Sequence, residues 1–84
     1  MTQFSDLVDL LHSTKDKGLL EDFLVGLTTP HERHVMTRRV EIVKRLLKGD
    51  QQQTIASDLN VGVSTVTRGS RELARGRFKV LRKK

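Results

Sequence analysis

The sequence predicts an all-α fold built around a helix-turn-helix. Apolar residues recur at helical spacing from one end of the chain to the other, and no stretch alternates as a half-buried strand would. No Asn-Gly or Asp-Gly hairpin signal is present. Near residue 60, two short helical patterns flank an Asn-Val-Gly turn with a small Ala56 four residues before it, the arrangement that lets two helices cross closely.

Phe4, Leu7, Val8 and Leu11 stand at i, i+3, i+4 and i+7, which predicts an amphipathic helix over about 3–14. Gly18 reads as an interruption, after which Leu20, Phe23, Leu24 and Leu27 repeat the spacing over about 19–27. Thr29, Pro30 and Glu32 then form a helix start. The Thr hydroxyl can cap, Pro sits where its missing N–H costs nothing, and Glu32 at N3 completes a capping box. This third helix runs to about residue 48, with Gly49 as the left-handed terminator and Lys44, Arg45 and Lys48 at its negative end. Two apolar rows, Val35/Ile42/Leu46 and Met36/Val40/Val43/Leu47, make its buried stripe wider than a single neighbour requires.

The helix-turn-helix is expected over about 51–75. Its first helix, about 51–59, turns Ile55 and Leu59 inward, and Asn60 takes the turn position that needs positive φ. Val61 fills the corner. The second helix, from about 63 to 75, keeps Val66 inside and begins with the short side chains Val63, Ser64, Thr65 and Thr67, which suit close approach to base edges. With Gln52 on the first helix and Arg71 and Arg75 where phosphates would lie, these are the candidate DNA contacts.

Composition sets the limits. The chain has 84 residues, one small domain's worth, with 36% hydrophobic residues, three Phe and neither Trp nor Tyr, so a monomeric core is thin and a homodimer is expected. The absence of Cys excludes disulfides, thiolate zinc sites, iron–sulfur clusters and a Cys nucleophile. Without a basic n-region or a membrane-length apolar run, the sequence reads as a soluble cytoplasmic protein. The net charge of +6 is confined to the last fifth: residues 1–67 carry eight basic and nine acidic groups, and residues 68–84 carry eight basic groups against Glu72. The expected organisation is therefore one helical DNA-binding domain over 1–76 and a basic tail over 77–84. Such a block is either a solvated tail or a polyanion contact.

No catalytic constellation emerges. His31, Glu32 and His34 miss the i, i+4 histidine spacing of a zincin, and no third ligand stands near. Neither a metal nor a catalytic role is expected, nor an enzyme.

Thr29-Pro30-x-Glu32-Arg33, Arg38-Arg39-Val40-x-Ile42-Val43-x-x-Leu46-Leu47-x-Gly49 and Thr65-Val66-Thr67-Arg68-Gly69-Ser70 resemble the Trp repressor family of bacteria. The match is good over 27–73, and over 4–26 it is one of helical pattern. The resemblance implies an intertwined homodimer of six-helix chains that represses transcription at a DNA operator, with L-tryptophan as corepressor. Carried over by position, Arg39 and Arg68 sandwich the indole and meet the carboxylate, with Thr29 close to that carboxylate. Gly69 leaves room beside the ring, and backbone carbonyls of Gly26 and Thr28 face the ligand ammonium from the partner chain. Glu72 stands where the family has a small hydroxyl beside that ammonium; its carboxylate either pairs with the cation or ties down Arg39 or Arg68. Gln53 and Ala56 replace basic operator contacts, and Phe78, Val80 and Leu81 are interleaved with basic residues where the family has a further core helix. The rival expectations are a ligand-independent DNA-binding module, and a helical adaptor whose basic tail binds RNA or an acidic protein.

Overall fold

A computed structural model describes residues 1–82; Lys83 and Lys84, the end of the expected basic tail, lie outside the described residues. The described residues form six helices and no strand: α1 (Phe4–Ser13), α2 (Lys17–Leu27), α3 (Pro30–Leu47), α4 (Gln52–Leu59), α5 (Val63–Ala74) and α6 (Lys79–Arg82). They group into two compact units that divide inside α3, Met1–Arg33 and the residues from His34 onward.

In the first unit, Asp6 Oδ2 accepts from the Gln3 N–H at 2.7 Å to start α1, and Thr14 caps its far end through Leu10 O. The expected break at Gly18 is not there. Asp16 supplies the N-cap, its Oδ2 accepting from Leu19 N at 2.9 Å, so α2 begins at Lys17 and Gly18 sits in the first turn, where helical propensity matters least. The Thr29–Glu32 capping box forms in both directions, at 2.7 and 3.1 Å. Arg33 Nη1 reaches back to the carbonyls of Val25 and Thr28, at 3.1 and 2.8 Å, and fastens the α2–α3 corner. No residue of α1 or α2 is buried; Phe4, Val8, Leu19, Val25 and Leu27 are exposed.

The second unit holds the core. Ile42 on α3, Ile55 and Ala56 on α4 and Val66 on α5 are buried together, with Leu46, Leu59 and Val61 packed around them, and Val43 is buried as well. The wide stripe on α3 is thus half used: Ile42 and Val43 are inside, whereas Met36, Val40 and Leu47 are exposed.

Three helices in this unit end in the same way. Gly49 (φ 94), Asn60 (φ 55) and Gly76 (φ 88) each take the left-handed conformation just past a helix. Each is followed by a residue whose N–H returns five positions, as in Asp50 to Arg45 O, Val61 to Ala56 O and Arg77 to Glu72 O at 3.0–3.1 Å. These paired bonds satisfy carbonyls that would otherwise have no partner and reverse the chain sharply. At Asn60 the reversal sets α4 against α5. Arg38 donates to the carbonyl of Leu59 beside it, and Arg45 bridges Asp50 and Asp58 at 2.7 and 2.9 Å, tying α3 to the start and end of α4.

Candidate ligand cleft and nucleic-acid interface

Position 39 and positions 42–43 lie one helical turn apart on α3, as do 64–65, 68–69 and 72 on α5, so each set shares one face. These faces enclose a cleft of about 440 Å³ lined by Arg39, Ile42, Val43, Ser64, Thr65, Arg68, Gly69, Glu72 and Phe78. Its chemistry is divided. Ile42 and Val43 give an apolar floor, while Arg39 and Arg68, both exposed, bring two guanidinium groups from opposite helices. Such an arrangement suits a flat apolar body carrying a carboxylate, because a guanidinium plane can stack on a ring and donate to an anion.

Gly69 lets the two helices approach. A Cβ there would stand 3.4 Å from Ile42 Cγ2 and 3.5 Å from Leu46 Cδ1, ordinary contact distances, so a methyl fits whereas a much larger side chain would have to push α5 off α3. The Glu72 carboxylate lines the cleft, yet its Oε1 accepts from Arg75 Nη1 at 2.9 Å, along its own helix. Neither Arg39 nor Arg68 is tied to it.

The family model described as Trp repressor protein matches residues 2–81 of this sequence. The chain belongs to the Trp repressor family. It is 44% identical over 71 residues to the Trp operon repressor homolog of Vibrio campbellii, covering 83% of this chain and 71% of the relative. The homologs of Vibrio vulnificus and Vibrio cholerae are 41% and 38% identical over 73 residues, covering 86% of this chain and 72% and 71% of theirs. The expectation of an all-α fold of the Trp repressor type holds, and the protein is a transcriptional regulator of that family.

Four of the five ligand residues expected from the resemblance to the Trp repressor family, Arg39, Arg68, Gly69 and Glu72, come together in the cleft. Thr29 belongs to the other unit, and its hydroxyl is engaged by the Glu32 N–H. The Thr28 carbonyl accepts from Arg33. Among the expected DNA contacts, Val63, Ser64, Thr65 and Arg71 are exposed on α5, and Arg75 is exposed just past its end. Ser64 and Thr65 also border the cleft, so one helical turn carries both surfaces. Gln52 and Thr67 are half-buried against each other, with the Thr67 hydroxyl 2.8 Å from Gln52 Oε1 and 3.0 Å from the Val63 carbonyl. That contact links the start of α4 to the first turns of α5. Gln52 keeps its amide N–H groups as donors.

Phe78 is the cleft residue that sequence reading missed. It lies in a run dominated by Arg and Lys, and its place in the cleft depends on the turn the chain makes at the left-handed Gly76 two positions earlier.

Proposed function

We propose that this protein is a homodimeric repressor that binds a DNA operator when L-tryptophan fills the cleft between α3 and α5. The observation that carries this reading is that Arg39 and Arg68 line one cleft together with the apolar Ile42 and Val43. The indole fits between the guanidinium planes, and the carboxylate takes a charge-assisted hydrogen bond from the same groups.

The coupling to DNA follows from the cleft's outer edge. Ser64 and Thr65 belong both to the cleft and to the N-terminal turn of α5, the turn that enters the major groove in a helix-turn-helix protein. Filling the cleft therefore fixes the recognition helix relative to α3. Tryptophan shifts the population toward the DNA-competent arrangement to the extent that it binds that arrangement more tightly. Val63, Ser64, Thr65 and Thr67 read base edges, Gln52, Arg71 and Arg75 grip the flanking backbone, and two such heads read half-sites about one helical turn apart.

Dimerisation is supported by what the chain leaves exposed. Residues 1–33 bury no side chain, and Met36, Val40 and Leu47 of α3 stay open, exposed apolar side chains of the kind that mark an interaction surface. A second copy supplies the cover. With the tryptophan-responsive repressor comes the expectation that the protein works in the bacterial cytoplasm; among the described residues no helix is long and apolar enough to cross a membrane.

Ligand fluorescence tests the effector reading, since the chain contains neither Trp nor Tyr. L-tryptophan added to the protein is expected to bind saturably at about one per chain, and Arg68→Ala to abolish the signal. The absence of saturable binding to the unsubstituted protein would overturn the reading.

A further inference from the structure

The end of α5 does not run out into solvent. Gly76 N–H returns to Leu73 O and Arg77 N–H to Glu72 O, both at 3.0 Å, and this pair of hydrogen bonds turns the chain back toward the helix it has just left. Phe78 follows in the left-handed conformation (φ 62), which a bulky aromatic residue adopts only where its surroundings hold it. Two bonds do so from the other side: Leu81 N–H donates to the Phe78 carbonyl at 3.0 Å, and Arg82 Nη2 donates to Leu73 O. The outcome is a half-buried ring in the wall of the α3–α5 cleft.

We propose that Phe78 is a specificity-determining wall of the effector cleft, an aromatic face that makes the site prefer a planar aromatic ligand over an aliphatic amino acid of similar size. This rests on the effector reading given above. With the ring in place the cleft still measures about 440 Å³, within the range of small-molecule sites, so Phe78 bounds the space without filling it. The opposing walls supply cations for a carboxylate and stacking planes for a ring, and the third side supplies an aromatic edge or face, which favours another aromatic ring through offset or edge-to-face contact. The backbone at Phe78 contributes a second argument. A strained residue in a short reversed segment is held only while its side chain is seated, so seating the ligand against the ring and holding the segment 77–82 against α5 reinforce one another.

The test compares Phe78→Ala, Phe78→Leu and Phe78→Tyr with the unsubstituted protein, by calorimetric titration of L-tryptophan and of L-leucine, with circular dichroism confirming equal helix content. Phe78→Ala is expected to weaken tryptophan binding about tenfold, the worth of one well-placed aromatic contact. Phe78→Leu, which keeps bulk and loses the ring, should narrow the preference for tryptophan over leucine, and Phe78→Tyr should restore tryptophan binding to within about twofold. Tryptophan binding that is unchanged or tighter in Phe78→Ala, while the unsubstituted protein binds normally, would overturn the role of Phe78 alone. No binding to the unsubstituted protein would overturn the effector reading and this inference together.

Discussion

Glu72 is paired with Arg75, its Oε1 2.9 Å from Arg75 Nη1, three residues further along the chain at the end of α5. The carboxylate that lines the cleft is therefore drawn along its own helix and away from the guanidinium groups of Arg39 and Arg68, leaving both free to meet a ligand. A residue that departs from the family pattern is thus accommodated by a partner within one helical turn. On the effector reading proposed above, the anion is paired beside the ligand site and does not compete for it.

Removing that partner should expose the competition. Arg75→Ala frees the Glu72 carboxylate to swing to Arg68, and tryptophan binding is expected to weaken up to about fivefold, the modest scale of a largely exposed ion pair. The double variant Arg75→Ala/Glu72→Ser should regain the lost affinity. Calorimetric titration of the two variants checks this, and an unchanged Arg75→Ala would show that the pair has no bearing on the cleft.

The helices and their ends were legible from the sequence because local chemistry decides them. The Thr29–Glu32 box, the Gly49 terminator and the left-handed Asn60 all form as their residue types and spacing require. Gly18 misled for an instructive reason: a glycine breaks a helix interior, but with Asp16 capping two residues earlier it falls in the first turn. The tie of Glu72 to Arg39 or Arg68 that the sequence left open is not made, because the nearer Arg75, three residues on, takes the carboxylate, whereas the position of Phe78 depends on the direction in which the chain leaves Gly76. No local pattern encodes that direction. The exposed stripes of α1, α2 and α3 were legible as apolar faces.

Core truncation is expected to be severe in a unit with so few buried side chains. Ile55 is fully buried between α3 and α5, and Ile55→Ala should cost about 2–5 kcal/mol, through lost transfer energy and the cavity left behind. Urea denaturation reads this directly as a lower midpoint. Domains of this size have little to spare, so the variant should lose its cooperative transition at physiological temperature.

Gly69 gives a prediction with two opposite parts. Its Cβ would meet Ile42 and Leu46 at 3.4 and 3.5 Å, a fit that α3 can accept with small adjustment. Gly69→Ala should therefore hold or gain stability, by up to about 1 kcal/mol from helical propensity, while weakening tryptophan binding by narrowing the cleft. Gly69→Leu should lose both stability and ligand. Thermal unfolding and ligand titration on the same samples separate the two effects.

The start of α3 should respond to acid. The Thr29 N–H and hydroxyl hold the Glu32 carboxyl below its ordinary pKa, favouring its charged form in the folded protein. A depressed folded value contributes stability above the unfolded value and loses it as pH falls through the folded one. The capping box is thus fully effective at neutral pH and fades below the usual glutamate range. Glu32→Gln should flatten this acid-limb dependence of the melting temperature, and an unchanged acid limb would contradict the assignment.

The central claim is that filling one cleft sets the recognition helix for DNA. The most direct measurement is selection of duplexes from a randomised pool by the full chain, with and without L-tryptophan, followed by anisotropy on the selected sequence at fixed salt. The account predicts a two-part sequence with half-sites about one helical turn apart, bound at least about tenfold more tightly with tryptophan, and no such gain for Arg68→Ala. Equal affinity with and without tryptophan, or binding indifferent to sequence and falling only with salt, would contradict it.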